Sequence, residues 1–521
     1  MATPGQAGTA KWWGWGSEER QPPLDQLREA GAAARAHLGF EPAEVEPPPR
    51  LADVRLPPSR IEPPAALAAI CSTDAHSRAS HAYGKAYRDI VRAYRGQVDH
   101  PPDVVARPRD EREVAELLEW CAGAGAAAIP YGGGTSVVGG VEPRGLDAAV
   151  TIDLRGLGAV LEVDHDSLAA RVQAGATGPA LAEQLRAHGL TLRHYPQSWE
   201  LSTLGGWIAT RAGGHYATGA THIDDLVESV RAITPRGEWE SRRLPGSGAG
   251  PSPDRLLIGS EGTLGVITEA WIRVQRPPGF RASASVGFES FAEGARAVRA
   301  LAQSGLQPSN CRLLDEGEAR VTAVGDRTLL VLGFESADHP LGPWIERALE
   351  LCADLGGSVA EGPSLREPGS GGGADTWRNV FLQAPYLRDT LIAAGVLVDT
   401  FETAITWDRF DAFVAAVRTA ASDAVAEICG TGRVTCRLTH AYPDGAAPYF
   451  TVLAPARRGS EVEQWDAVKA AVSETLIAAG GTITHHHAVG RDHRPWYDRQ
   501  RPDLFADALR AAKRAVDPAG V

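Results

Sequence analysis

YGGGTSVVGG, from Tyr131 to Gly140, is the stretch on which the reading of the fold turns. Consecutive glycines leave backbone N–H groups uncovered, so a pyrophosphate can approach them closely. The stretch is not a Walker A loop, because no GK[ST] follows. It is not the Rossmann fingerprint either, because Val137 stands where the last glycine of GxGxxG belongs. Alone, such a cluster marks a turn. Two further stretches change that reading. SWELSTLGGWIATRAGG (Ser198 to Gly214) joins hydroxyls to paired glycines, and GSEGTLGVITEA (Gly259 to Ala270) sets small residues ahead of an apolar strand. Three such stretches between Tyr131 and Ala270 are hard to explain by turns alone.

Just upstream, DVVARP reads as a short strand, and apolar residues at Val114, Leu117 and Leu118 read as one face of a helix. A second strand then ends on the glycine cluster, which makes a strand–helix–strand unit of an α/β domain. Downstream come strand candidates (AAVTIDL, GAVLEVD, AARVQAG), the helix ALAEQLRAHG, and the strand-like LVESVRAITPRGEWE. Pro277 and Pro278 mark a boundary. Strands and helices alternate beyond it to about residue 500, with a flexible break expected at PGSGGGAD (Pro368 to Asp375). At the other end, Pro-rich stretches alternate with Ala-rich helical patterns such as LDQLREAGAAARAHL, as in an extension packed on a larger body.

The chain has 521 residues, enough for several domains. Its formal net charge of −13 disfavours a protein that tracks nucleic-acid phosphates, which needs a basic face. With 57 glycines and 36 prolines it suits a site built from loops better than a helical bundle. The six cysteines show no CxxC spacing and are expected to be reduced. The first residues lack the apolar core of a signal peptide, and the C-terminal PAGV is not a peroxisomal address. No apolar run approaches the roughly 18 residues of a membrane span; LIAAGVLV is among the longest. A soluble, cytoplasmic protein is expected.

IPYGGGTSVVGG, LSTLGGWIATRAGG and GSEGTLGVITEA together resemble the flavin-binding domain of the vanillyl-alcohol oxidase and p-cresol methylhydroxylase superfamily, in its order and spacing. Within it the chain is most similar to the alkyldihydroxyacetonephosphate synthases. That closer resemblance rests on KWWGWG near the start, CRLLDEG at 311, YLRDTL at 386, FETAITWDR at 401, TCRLTHAY at 435 and GGTITHHHAVG at 480. It implies an α+β fold with a two-subdomain FAD-binding domain of the PCMH type (98–278). An N-terminal helical extension (1–97) precedes it. A cap or substrate domain with an antiparallel sheet (279–500) follows, and then a C-terminal helix returning to the FAD domain (501–521).

The flavin contacts it implies fall first on Pro130, Tyr131, Gly132, Gly133, Gly134, Thr135 and Ser136, which would hold the pyrophosphate. Gln197, Ser198, Trp199, Glu200, Leu201, Ser202 and Thr203 would follow, with Thr210, Arg211, Ala212 and Gly213. Glu261, Gly262, Thr263, Leu264, Gly265, Val266 and Ile267 would complete the set, the later segments lining the ring and ribityl chain. Relatives usually carry Asp where this chain has Gln197, and an amide can neither act as a base nor hold a fixed charge. Some relatives tether the flavin through a His of the first loop; Gly134 and Thr135 stand there, so the FAD is expected to be non-covalent.

The second half carries the candidates for chemistry. His485, His486 and His487 follow the strand-like GGTIT. On extended backbone, adjacent side chains point to opposite faces, so no metal site is expected from them. The resemblance implies that they sit beside the flavin as hydrogen-bond donors or proton relays, which neutral imidazole suits near pH 7. It makes Tyr449 the catalytic tyrosine. A phenol must be helped toward phenolate to accept a proton, and His486 or His487 are the basic neighbours expected to do so. It also gives Arg388, Arg312 and His194 roles at the substrate, the guanidinium groups matching a phosphate dianion.

The implied reaction has no net redox. The flavin acts as a nucleophile at C1 of acyl-dihydroxyacetonephosphate, the tyrosine removes a C1 proton, the fatty acid leaves and a long-chain alcohol takes its place. The substrate would thus be a phosphorylated, lipid-like small molecule, with a homodimer and a peripheral membrane contact expected. A flavin-linked dehydrogenase or oxidase of a hydroxy acid or alcohol is the alternative, because arginines that bind phosphate bind carboxylate as well.

Overall fold

Three β-sheets organise the described residues, and the site lies where their loops and faces converge. The computed structural model describes residues 9–521 apart from 42, 323, 360 and 368–374. The expected break at Pro368 to Asp375 falls almost entirely outside them.

The first sheet holds β1 (Cys71–Ser72), β2 (Val104–Ala106), β3 (Ala127–Tyr131) and β4 (Ala149–Asp153), in the order β1-β2-β4-β3. β2, β4 and β3 are parallel, and β1 is an antiparallel edge. The helix Glu111–Ala124 crosses between β2 and β3. Asp110 caps its start by accepting from the Glu113 N–H, and Gly125 ends it in the left-handed region. Its Val114, Leu117 and Cys121 are buried against the sheet. This is the strand–helix–strand unit read from the sequence, and it releases the glycine loop at the carboxyl end of β3, where open α/β sheets bind their ligands.

The second sheet is antiparallel: β5 (Val160–Asp164), β6 (Ala169–Gln173), β7 (Val227–Thr234), β8 (Gly237–Glu240) and β9 (Val266–Arg273), in the order β5-β6-β9-β7-β8. The helices Gly178–Arg186 and Leu204–Thr210 cover it through Leu181, Leu204, Trp207 and Ile208. The C-terminal helix Asp503–Val516 adds Leu509, Ala512 and Val516 to the same core.

The third sheet has nine antiparallel strands: β10 (Phe280–Phe288), β11 (Asn310–Leu314), β12 (Thr328–Ser336), β13 (Ser358–Val359), β14 (Ser364–Arg366), β15 (Val396–Glu402), β16 (Ile405–Thr406), β17 (Arg433–Ala441) and β18 (Gly445–Pro455). Its spine runs β13-β10-β12-β11-β17-β18-β15. Alternation divides the strands cleanly. Cys311, Leu313, Cys436, Leu438 and Phe450 join one large apolar core, while Arg437 pairs in register with Tyr449, and Tyr449 with Glu402, on the other face.

The N-terminal stretch is not a separate body. Trp12, Trp13, Leu27, Tyr83 and Tyr87 belong to the core of the third sheet, whereas Leu67 and Ile70 belong to that of the first. It clasps both halves of the molecule. No helix among the described residues is long and apolar enough to cross a membrane.

Candidate active site

An open cleft, with about 1700 Å³ of empty space reaching out into open solvent, lies between the loops of the first two sheets and the polar face of the third. One wall is glycine. A Cβ at Gly133 would stand 2.0 Å from the Leu201 carbonyl oxygen, and one at Gly132 would stand 2.2 Å from Thr203 Oγ1. The first two glycine-rich stretches are therefore pressed together with no space for a side chain. Thr203 also caps the helix Leu204–Thr210. The third stretch closes against them, Gly262 at φ +81° beside Pro130. This cradle fits a dinucleotide cofactor such as FAD, since only bare backbone lets N–H groups meet a pyrophosphate. Gly133→Ala is accordingly expected to force the loops apart and abolish FAD retention, read as flavin absorbance per protein after gel filtration. An alanine variant holding one FAD per chain would refute the cradle.

The opposite wall carries the ionisable groups. Arg312 (3% exposed), Arg388, Arg437 and Tyr449 (5% exposed) all line the cavity. The Arg437 guanidinium lies 3.9 Å from the centre of the Tyr449 ring and is ion-paired with Glu318. The Tyr449 hydroxyl donates to Thr400 Oγ1 at 2.9 Å. Burial raises the Tyr449 pKa, and Arg437 is the principal opposing influence. Burial, with Arg437 alongside, also pushes Arg312 down to about 9.

The histidine segment is not a continuation of a strand: GGTIT has no ladder partners, and the chain curls around the carboxylate of Glu402. Glu402 (2% exposed) accepts from the backbone N–H groups of His485, His486 and His487 and from Thr484 Oγ1. Burial opposes its charge, yet the neighbouring imidazoles and the Thr484 hydroxyl hold its carboxyl well below the usual range. The curl lets consecutive imidazoles approach one another, with ring centres 4.7 to 5.2 Å apart, as an extended strand would not. His486 and His487 face the cavity. Burial pushes His486 down to about 3 and His487 to about 4, so both are neutral near pH 7. The tyrosine's cationic neighbour is therefore Arg437, not a histidine.

Two sets of side chains, His440–His485–His486 and Glu402–His486–His487, lie close enough together to share an ion. Each set is already engaged within the protein. His440 Nε2 meets the Gly214 carbonyl at 2.9 Å, His485 Nε2 meets the Tyr442 hydroxyl at 2.7 Å, and Glu402 is surrounded by donors.

Of the expected flavin contacts, Pro130 through Ser136, Gln197, Ser198, Ser202, Thr203, Thr210, Ala212, Gly213, Glu261, Gly262, Gly265 and Ile267 line the cavity. Others turn elsewhere. Glu200 pairs with Arg20 and accepts from the Tyr386 hydroxyl. Arg211, at φ +52°, binds Asp224, and Thr263 donates back to Ser260. Leu264 and Val266 sit in the two apolar cores. Trp199 lies against Gly178, and the Leu201 carbonyl abuts Gly133. Glu261 lines the wall while accepting from the N–H groups of Val489 and Gly490, tying the third stretch to the histidine segment.

Two of the expected active-site histidines also lie off the wall. His485 turns to Tyr442 and His222. His194, 2% exposed and pushed down to about 3 by burial, lies behind Gly214 and beside Trp207. Sequence reasoning passed over Arg437, His440 and Trp15 on the wall, and Glu402 behind it. All four lie inside stretches it had singled out: TCRLTHAY, KWWGWG and FETAITWDR. Period-two alternation from Arg437 across to its partner Tyr449 is the signal that would have found the first.

Residues 102–241 match the family model described as an FAD binding domain, and residues 277–521 match that of the C-terminal domain of FAD linked oxidases. The alkyldihydroxyacetonephosphate synthase of Dictyostelium discoideum is 30% identical over 85% of this chain and 76% of its own length. That of Caenorhabditis elegans is 31% identical over 86% of this chain and 80% of its own. A solved structure of an alkyldihydroxyacetonephosphate synthase superposes with a TM-score of 0.79 at 24% identity, covering 98% of both chains, which is a likeness of fold.

Proposed function

The chain belongs to the alkyldihydroxyacetonephosphate synthase family, and from that premise we propose that it exchanges the acyl group of acyl-dihydroxyacetonephosphate for a long-chain alcohol. The observation that carries the reading is the wall facing the glycine cradle, where Tyr449 lies beneath Arg437 among three arginines. Bound FAD supplies the nucleophilic ring. The protein does the rest. Arg312 and Arg388, beside an Arg437 already paired with Glu318, put guanidinium groups on the wall that suit a phosphate dianion. Tyr449, whose pKa burial raises against the opposing pull of Arg437, takes the proton from C1. His486 and His487, uncharged near pH 7, donate hydrogen bonds without placing further cations beside the ring. The C1–O bond to the carboxylate breaks and one to the alcohol forms, with no net oxidation.

Incubating the FAD-loaded protein with palmitoyl-dihydroxyacetonephosphate and hexadecanol tests this directly. Palmitate and alkyl-dihydroxyacetonephosphate are expected in equal amounts. No exchange, with flavin reduction by a 2-hydroxy acid, would transfer the chain to the dehydrogenase reading. The flavin itself is expected to leave on acid precipitation, since Gly134 and Thr135 stand where a tethering histidine would. Flavin that stays with the precipitate would refute non-covalent binding. The reading extends to a cytoplasmic homodimer acting at a membrane surface; all six cysteines are free thiols, which fits a reducing compartment.

A further inference from the structure

His485, Tyr442, Thr221 and His222 lie behind the cleft wall rather than on it, and an unbroken run of hydrogen bonds joins them to it. His486, on the wall, has Nδ1 2.9 Å from His485 Nδ1. His485 Nε2 lies 2.7 Å from the Tyr442 hydroxyl, which in turn lies 3.0 Å from Thr221 Oγ1. Thr221 Oγ1 is 3.1 Å from His222 Nδ1. The run ends on the segment Thr221 to Asp225, where His222 is half-buried and Asp225 is exposed. The Asp225 carboxylate accepts there from the backbone N–H groups of Thr221 and His222.

One anchored end sets the direction of every bond. His222 Nε2 lies 3.2 Å from the His485 carbonyl oxygen, which can only accept, so Nε2 carries the hydrogen. A neutral imidazole has a single N–H, so His222 Nδ1 is bare and accepts from the Thr221 hydroxyl. With its hydrogen committed, Thr221 Oγ1 accepts from the Tyr442 hydroxyl, and Tyr442 accepts from His485 Nε2–H. His485 Nδ1 is then bare and accepts from His486 Nδ1–H. Glu402 Oε2, 3.6 Å from His486 Nδ1, favours the hydrogen there too. His486 Nε2 is left bare, and every donor in the run points away from the cleft. Burial holds His485 well below the ordinary imidazole range and raises the Tyr442 phenol, so both rest neutral near pH 7.

We propose that Tyr442, Thr221 and His222, acting through His485, form a proton exit from His486 to the surface. The inference rests on the proposed function for the proton to be moved and on the hydrogen bonds for its path. Alkyl exchange releases one proton near pH 7. The C1 proton is taken and returned, the fatty acid leaves as a carboxylate, and the alcohol loses its hydroxyl proton as its oxygen bonds to C1. That proton passes to His486 Nε2, each hydrogen along the run moves one place outward, and His222 becomes the imidazolium. The charge then rests on none of the buried rings but on the half-buried His222, near the carboxylates of Asp224 and Asp225, where water takes the proton. The His485 carbonyl, which needs a hydrogen on His222 Nε2, draws the run back to its resting direction.

The test cuts the run at two links. Tyr442→Phe keeps the ring and removes the hydroxyl, and Thr221→Val keeps the shape and removes the next one. Alkyl exchange is measured in light and heavy water on each FAD-loaded protein and on the double variant, and NMR of nitrogen-labelled histidine reads which ring nitrogens carry hydrogen. Each single variant is expected to lower kcat about tenfold, with KM and FAD content unchanged, and to raise the solvent isotope effect because proton release becomes slow. A run cut twice is no more broken than a run cut once, so the double variant should match the singles. Near-normal kcat in Tyr442→Phe overturns the proposal, and so do losses that multiply in the double variant or a loss of FAD in place of a loss of kcat. A resting His222 with its hydrogen on Nδ1 overturns it as well. The two readings fail separately: a wild type that performs no exchange removes the proposed reaction, and the run then stands or falls on the histidine tautomers.

Discussion

Tyr449→Phe is expected to lower alkyl exchange by about 10²–10⁴, the usual contribution of a positioned general base, while leaving FAD content and folding intact. The ring is held by its surroundings rather than by its hydroxyl. It is stacked under Arg437 at 3.9 Å and flanked by the rings of His486 and His487 at 6.1 and 5.7 Å. Phenylalanine keeps those contacts and loses one hydrogen bond, to Thr400 Oγ1. The cation gives the assignment a second arm. Burial raises the Tyr449 pKa and Arg437 is the largest influence lowering it, so removing the guanidinium in Arg437→Gln leaves burial opposed only by the hydrogen bond to Thr400. The rising limb of the pH–rate profile, which reports phenolate, should then move to higher pH. A phenylalanine variant with near-normal exchange removes Tyr449 from the mechanism. A profile that does not move in Arg437→Gln removes the guanidinium from its tuning.

What the sequence disclosed divides along the range of the interactions concerned. The glycine cradle was legible because its physics is local. Gly132 and Gly133 are glycine because a neighbouring backbone occupies the Cβ position, and a run of glycines announces such crowding. The crossover helix declared itself through Val114 and Leu117, and the helix Leu24–Leu38 through its alanine-rich pattern. The histidine segment misled for the opposite reason. Read alone, GGTIT is a strand, and on a strand His485 to His487 must diverge. The residue that curls it is Glu402, some eighty positions earlier, which draws three successive N–H groups onto one carboxylate. Nothing local marks that partnership. Arg437 was missed similarly: its importance lies in its register with Tyr449 across a strand pair, and register is a property of the sheet. Glu200 looked like a flavin contact from its neighbours in the chain, but Arg20 near the N-terminus and Tyr386 on the helix Asp375–Ala393 claim it in space.

The same buried imidazoles predict a steep loss of stability in mild acid. Burial depresses His194 and His486 to about 3, and His487 and His493 to about 4, against roughly 6.5 for an exposed imidazole. The unfolded chain therefore takes up protons that the native chain refuses as pH falls below 6.5. The stability conferred by neutral histidine is complete above that value and is lost progressively down toward the folded pKa values. At pH 5.5, a unit below the ordinary value, each such group costs on the order of 1 kcal/mol, so four cost several kcal/mol, with His440 and His485 shifted in the same direction. Buried carboxyl groups work against this. Asp492 is raised to about 6, and Asp389 and Asp315 are raised as well, so the native chain gains some proton affinity over part of the same range. Histidines outnumber them, and the net loss should reach several kcal/mol, a large share of the 5–15 kcal/mol that holds an ordinary domain together. Urea melts of the FAD-loaded protein at pH 7.5 and 5.5 should separate clearly, with the lower midpoint at 5.5. Coincident midpoints would mean that these imidazoles are already solvated in the native state, and the neutral state assigned to His486 and His487 would fall with that result.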